Sequence, residues 1–440
     1  MNTNSSIFYI MSNKSLSIFV IIILFGSLIL LSCKEPIVQI EKPKPSTVIK
    51  LDSFGVHPRL IMSNQDISQM RENINSGNEP WNSTWIEFKK TVDLYLSPSW
   101  KTDVYTGSDV SAFYNNTIRD ASAARDLALA YQITKDKKYA EMSVLIIETW
   151  LAPEILPASY FDPEIAYPNM GMMVARSTFP FLYAYDLLMA DKLVSEKTQK
   201  RFAEWMRICE MRIKEGAKRW EDSNYFDNQF YQNHLVADAM GLLGIGIVLN
   251  DSKLAQYAFN SVENQRDAID LIEGMILMKG QQPYYREPKE MPTQTGEIMD
   301  RYRHYAIGGH WKDYVTYPNR GLQYCGLSSI LLMICAEMAR NNGVDLYNWT
   351  AKTGENLKLP LDFYADFYIT KDASINGGFY AGEDSWINGN DQTTYSLWEV
   401  GHCRYPGEKK FAEVLNANKR GSQGMHLLGP VTLTHGRKVE

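Results

Sequence analysis

QNHLVADAMGLLGIGIVL, residues 232–249, is apolar all round once its first three residues are passed. A helix with no polar face must be enclosed by protein. The stretch that follows, SKLAQYAFNSVENQRDAIDLI (252–272), is amphipathic instead. The alternation recurs. MVARSTFPFLYAYDLLMA (173–190) is apolar, and SEKTQKRFAEWMRICEMRIKEGAKRW (195–220) carries a charged face. IRDASAARDLALAYQIT (118–134) and KKYAEMSVLIIETWL (137–151) form a hairpin across a short polar turn. RGLQYCGLSSILLMICAEMARNNG (320–343) is a further strong helix and LKLPLDFYADFYI (357–369) a weaker one. Short turns make neighbouring helices antiparallel. Apolar helices inside and amphipathic helices outside predict an all-α fold. It is an (α/α) toroid of helical hairpins, incomplete or roughly six- to seven-fold. Strand signals are sparse, and the sequence has no fixed-period repeat, G-x-G-x-x-G or P-loop.

The chain has 440 residues, 45% of them hydrophobic and 12% aromatic, enough for a sizeable core. Lys14 precedes SLSIFVIIILFGSLILLSC, an apolar run of signal-peptide type that ends in Leu30-Leu31-Ser32-Cys33. That ending resembles the lipobox of bacterial lipoproteins. The resemblance implies that residues 1–33 are a signal segment and that Cys33 is lipidated. Residues 34–55, rich in Pro and Lys at their start, read as a tether. The expected protein is exported, anchored by lipid and facing the periplasm or cell surface, with one toroid domain over 56–440. The whole chain has a formal charge of −6; residues 1–32 carry only Lys14, so the remainder is near −7. This argues against nucleic acid as a partner but leaves room for an anionic polysaccharide in a local basic groove. Cys209, Cys325, Cys335 and Cys403 have no CxxC spacing and read as buried free thiols. A monomer is expected.

Polar residues concentrate where the apolar helix at 232 begins. Asn228, Gln232, Asn233 and His234 stand there together, although a helix cap needs only one side-chain oxygen. The surplus points to a polar cluster facing a cavity. The stretch 274–319 breaks the helical pattern with aromatic and basic residues, and long irregular inserts are often functional. Within it, Tyr284, Tyr285, Arg286, Arg301, Tyr302, Arg303, His304 and His310 are candidates for a substrate groove. Asn116, Arg119 and Arg176, near the starts of other inner helices, are candidates for further subsites. Trp386 is a candidate to stack on a sugar ring.

Two blocks resemble the alginate lyase superfamily. Gln232-Asn233-His234 looks like the Asn-Asn-His helix of polysaccharide lyase family 5. Residues 320–337 supply the rest: Arg320, then Tyr324 four residues on, then Ala336-Glu337. ARDLALAYQITKDKKYA (124–140) and HPRLIMS (57–63) are weaker similarities. The family's second arginine, seven residues before the tyrosine, is Tyr317 here, and Cys325-Gly326 replaces His-Asn after it. Arg303 and His304 are candidates to replace that arginine. These departures look more like a divergent branch, such as polysaccharide lyase family 38, whose members cleave alginate or glucuronan.

The resemblance implies β-elimination on a uronic-acid polymer, most of all alginate and polymannuronate, then glucuronan. The reaction needs the uronate carboxylate neutralised, a base for the C5 proton and an acid for the departing O4. Asn233 with Arg320 or Gln232 would bind the carboxylate, and His234 and Tyr324 would share the proton transfers. Arg320 lies one turn from Tyr324 on the same helix face and is placed to lower its pKa. No cofactor or metal is implied. Two other readings stand beside this one. A toroid glycoside hydrolase would recruit two carboxylates from Asp162, Glu164, Glu297 and Asp300. A non-catalytic glycan-binding lipoprotein would not require His234 and Tyr324 together.

Overall fold

The computed structural model describes residues 48–439, apart from 52, 167–168, 223–229, 282–291, 302–319, 389–391, 419 and 422–425. Thirteen helices of eight or more residues make up the described fold. They are α1 (Asn64–Asn75), α2 (Trp81–Tyr95), α3 (Val110–Thr134), α4 (Lys137–Leu151), α5 (Met170–Met189), α6 (Glu196–Glu221) and α7 (Asn233–Val248). After them come α8 (Ser252–Phe259), α9 (Ala268–Met275), α10 (Gly321–Arg340), α11 (Lys358–Thr370), α12 (Gln392–Arg404) and α13 (Lys409–Ala417). Among the described residues there is no sheet, only the isolated bridges Ser261–Asn264 and Ile276–Ile298.

Burial follows the sequence alternation. Every residue of α7 is buried. In α6 the buried residues form a stripe, Phe202, Trp205, Met206, Cys209, Ile213, Gly216 and Trp220, at the spacing of one helix face. So α7 is an inner helix and α6 an outer one, as expected. Helix α10 is long and apolar enough to cross a membrane, but 83% of that apolar stretch is buried inside the protein, as an inner helix. The thiols of Cys209, Cys325 and Cys335 are free and buried, and that of Cys403 is half-buried.

The inner helices α3, α5, α7, α10 and α12 run in one direction. A strap at His57–Leu60 meets the C-terminal ends of three of them. Asp186 near the end of α5 accepts the backbone N–H groups of Arg59 and Leu60 at 2.9 and 2.8 Å. Arg59 donates to the Ile247 carbonyl of α7 at 2.9 Å. Asn342, just past α10, donates to the Arg59 carbonyl at 3.1 Å. Gln132 of α3 donates to the Leu187 carbonyl of α5 at 2.7 Å, and Arg404 of α12 pairs with Glu337 of α10 at 2.6 Å. The N-terminal ends of all five inner helices therefore lie at the opposite end, here called the cleft end.

Glycine permits the closest helix approach. A Cβ on Gly216 of α6 would lie 2.3 Å from the Gly171 nitrogen of α5, and one on Gly171 would lie 2.7 Å from Asp238 of α7. Both glycines let α5, α6 and α7 pack nearer than any side chain allows.

Two expectations need correction. The single helix expected over 252–272 is two, α8 and α9. Asn260 leaves the helix with extended backbone, and Asp267 caps the new start by accepting from Asp270 N–H at 2.9 Å. The described parts of the insert, 274–281 and 292–301, are also less irregular than their composition suggests. Leu277 donates to the Glu297 carbonyl at 2.7 Å and Gly296 to the Leu277 carbonyl at 2.9 Å, so 292–301 folds back onto 276–281.

Candidate active site

Asp300 organises the start of α7. It sits in a short 3-10 turn, Met299–Arg301. One of its carboxylate oxygens accepts from the Asn233 backbone N–H at 2.9 Å, the Asn233 side-chain amide at 3.2 Å and the Ser328 hydroxyl at 2.7 Å. A carboxylate on the first N–H groups of a helix satisfies both an orphan donor and the positive end of the dipole. Gln232, in the N-cap position, makes no side-chain cap bond. Ser328 belongs to α10, one turn beyond Tyr324. Asp300 therefore ties the turn that carries Asn233 and His234 to the helix that carries Tyr324.

Helix α10 has its own external cap. Its N-cap residue is Arg320, and Glu383 accepts from the Leu322 N–H at 2.8 Å. Arg320 is half-buried and its guanidinium lies 5.6 Å from the centre of the Trp386 ring. Trp386 thus carries a cation on its face. Tyr324 is half-buried, as are Gln323, Gly326 and Leu327 beside it in the first two turns of α10, whereas Ser328–Ala339 is buried throughout.

His234 is 8% exposed and stacks on Trp220 of α6, ring centres 3.9 Å apart and planes within 18°. The stack fixes the imidazole plane. One turn further, Asp238 is buried; desolvation, with help from Glu221, pushes its carboxyl well above the ordinary range. Burial thus favours the protonated form of Asp238.

Behind the site, Glu297 and Arg301 form a buried ion pair at 2.6 Å. Arg301 stacks on Phe379 at 4.3 Å. The Tyr364 and Tyr380 hydroxyls meet at 2.9 Å, and Ile298 N–H donates to Tyr364 at 3.1 Å. Arg301, expected in the groove, is thus a structural cation with no exposure. Glu297 and Asp300 are committed to an ion pair and a helix cap, which removes them as a hydrolase's acid pair. Asp162 accepts from Glu164 N–H at 2.8 Å, and Glu164 pairs with Arg219 at the surface.

The other candidates divide in two. Asn116 donates to Asp103 at 3.1 Å and Arg119 to the Lys101 carbonyl at 2.7 Å, so both fasten the loop before α3. Arg176 lies 5.7 Å from the Tyr114 ring, and its Nε has no hydrogen-bond partner among the described residues. His426 is edge-on to Tyr114 at 6.2 Å. Burial, then the charges of Arg176 and Arg125, push its pKa well below the ordinary value, leaving the imidazole neutral. Cys33, Asn228, Tyr284, Tyr285, Arg286, Tyr302, Arg303, His304 and His310 lie outside the described residues. Among the described residues, no three His, Cys, Asp or Glu side chains converge as a metal site.

A family model described as alginate lyase matches residues 104–374, more than half of the chain. The chain belongs to the alginate lyase family. It is a polysaccharide lyase with the (α/α) toroid fold. An alginate lyase from Bacteroides ovatus is similar in structure, with TM-score 0.60 and 15% identity over 86% of this chain and 99% of that one. Alginate lyase A1-III from Sphingomonas species A1 gives TM-score 0.58 and 14% identity over 87% and 100%. A tyrosine-to-phenylalanine variant of A1-III, complexed with tetrasaccharide, gives 0.56 and 12% over 87% and 99%. A histidine-to-alanine variant has also been solved with tetrasaccharide. No curated protein matches.

In this lyase the residues missed from sequence are those that support the candidates. Trp220, Glu383, Tyr114 and His426 lie on four different segments, and nothing local in the sequence links them to residues 232–234 or 320–324. The one available signal was Asp300, noticed as a carboxylate but read for a different role.

Proposed function

We propose that this lyase cleaves alginate, with polymannuronate favoured over glucuronan, by β-elimination at the cleft end. The observation that carries the reading is the shared carboxylate of Asp300. It fastens the Asn233–His234 turn and the Tyr324 helix to one point, so the four catalytic candidates belong to one rigid unit. Asn233 and Arg320, with Gln232, neutralise the uronate carboxylate and stabilise the enolate-like charge that develops as C5 loses its proton. His234 or Tyr324 takes that proton, and Tyr324 donates to O4 as the C4–O4 bond breaks. A neutral imidazole is a competent base, and the Trp220 stack holds its plane.

Electrostatics supports the same reading. Arg176 and Arg320 lie against aromatic rings near the starts of α5 and α10 and supply local positive charge there. A chain of net charge −6 thereby keeps a local field suited to a polyanion. Relatives have been solved with tetrasaccharide as tyrosine and histidine variants, the two residue types given the proton transfers here. Arg176, Tyr114 and His426 form a second polar group suited to a neighbouring sugar.

The test is ultraviolet absorbance of the new C4–C5 double bond, conjugated to the carboxylate. The protein lacking residues 1–33 is incubated with polymannuronate, polyguluronate or glucuronan, each with a chelator. A rise on polymannuronate is expected. New reducing ends without absorbance would assign a hydrolase. Lipid anchoring through Cys33 is part of the same proposal and is checked by labelling with a radioactive fatty acid.

A further inference from the structure

The far end of the toroid holds a concavity of about 1090 Å³. Its walls come from the start of α1, from Trp81, from the end of α12, from α13 and from residues 434–438. It is remote from the cleft by topology: Asp66 in its wall pairs with Arg340 at the C-terminal end of α10, whereas Tyr324 is at the opposite end of that helix.

The charges in its wall do not cancel. Asp66 is matched by Arg340, Glu408 by Lys358 and Arg404 by Glu337. Glu413 is then left against Lys409, Arg437 and Lys438, none of which has an ion-pair partner among the described residues. Two of these cations are held in place by their backbone. Arg420 donates to the Arg437 carbonyl at 2.9 Å, and the His402 ring meets the Lys438 carbonyl at 3.3 Å. His402 is 6% exposed and its Nδ1 has no partner, an unmet polar atom in the cavity wall. Half-buried Trp81 offers an aromatic face, and Gln69 and Asn73 of α1 offer amides on the same wall.

An aromatic ring, amides and unmatched cations around one concavity suit a sugar chain that bears carboxylates. The ring packs on the apolar face of a sugar, amides meet hydroxyls and cations meet carboxylates. We propose that this far-end cavity is a second, non-catalytic binding site for an anionic oligosaccharide stretch, which holds the polymer while the cleft works on it. The proposal rests on the lyase reading for the identity of the polymer.

The test uses affinity electrophoresis in native gels that contain alginate, with Tyr324→Phe as background to prevent cleavage. Adding R437A and K438A is expected to weaken retardation about three- to tenfold, the scale of two partly screened charge contacts. In the wild-type background the same pair should raise KM on polymer by a similar factor and leave kcat/KM on a tetrasaccharide within about twofold. The Lys substitution R437K should restore retardation. Unchanged retardation and unchanged polymer KM would overturn the proposal. Equal loss on tetrasaccharide and polymer would assign the effect to the fold or the cleft and also overturn it. Binding to phosphatidylglycerol vesicles that the pair abolishes, with retardation intact, would assign the patch to a membrane instead. Failure of the lyase reading is separate: it shows as no ultraviolet rise, with cation-sensitive retardation still upholding the second site.

Discussion

Glu337 at the far end and Asp300 at the cleft end are both buried carboxylates that join inner helices, yet they are built differently. Glu337 accepts both Nε and Nη2 of Arg404 at 2.6 Å, Tyr347 hydroxyl at 2.7 Å and Arg340 at 3.2 Å, with His435 at 3.7 Å. Burial opposes its charge, but Arg404 and His435 outweigh that and hold its pKa well below the ordinary range. Among the described residues Asp300 takes only neutral donors, two from Asn233 and one from Ser328. The far end closes cation on anion where helix C-termini meet. The cleft end caps helix N-termini with carboxylates and keeps Arg176 and Arg320 against aromatic rings. One arrangement is saturated and fixes the fold. The other leaves donors and cations turned toward a substrate.

The sharpest way to break this contrast is at the proton-transfer residues. Tyr324→Phe and His234→Ala should each lower kcat by about 10²–10⁴, the usual weight of a general acid or base. Tyr324 is half-buried, so its phenylalanine variant should keep its melting temperature. Ultraviolet turnover and calorimetry on the same samples read both. Appreciable retained turnover in Tyr324→Phe would remove its role.

Glu337→Gln should do the reverse. Breaking one partner of a buried charge cluster costs about 3–5 kcal/mol, measured by urea unfolding, with turnover per folded molecule unchanged at low temperature. The pH sign follows from its depressed folded pKa. The contribution is complete above the unfolded value near 4.3 and is lost as pH falls through the folded one. Wild type should therefore lose stability in acid more steeply than Glu337→Gln.

Asp300→Ala joins the two effects. It removes a helix cap and the tie between α7 and α10, at about 2 kcal/mol of stability. Displacing His234 from Tyr324 should lower kcat about a hundredfold, with KM on tetrasaccharide changing less. A variant that loses stability and keeps kcat would show that Asp300 serves the fold alone.

The smallest effect is expected at Asp238→Asn. The folded pKa of Asp238 is raised, so its contribution falls as pH rises from the unfolded value near 3.9 toward the folded one. An amide has no such slope. The variant should gain on wild type as pH rises to 8 and show no gain at pH 3, read from unfolding curves at both.

The inner helices were legible in the sequence because burial on all sides leaves no polar face, as α7 shows. So was the start of the site, because Gln232, Asn233 and His234 break that apolar pattern at its first turn. The resemblance supplied Tyr324 and Arg320; periodicity alone would have placed Tyr324 in the core. What was not legible depends on contacts between distant segments. Asp300 acts through residues 67 and 28 positions away, and Trp220 reaches His234 from another helix. Arg301 was misassigned for a related reason: basic residues in an irregular segment look like a groove until Glu297 is seen beside one of them.

The strap at His57–Leu60 has a mechanical meaning. It grips the ends of α5, α7 and α10 at once, through Asp186, Ile247 and Asn342. A pull arriving from the N-terminal side meets first the bonds of Ile49 and Leu51 to Asn260 and Gln256 at the end of α8, and then three inner helices at once through the strap. It enters at the end where the helices are already locked to one another, a helix length from His234 and Tyr324. If Cys33 is the mooring, tension in the tether enters the molecule at the end that does no chemistry.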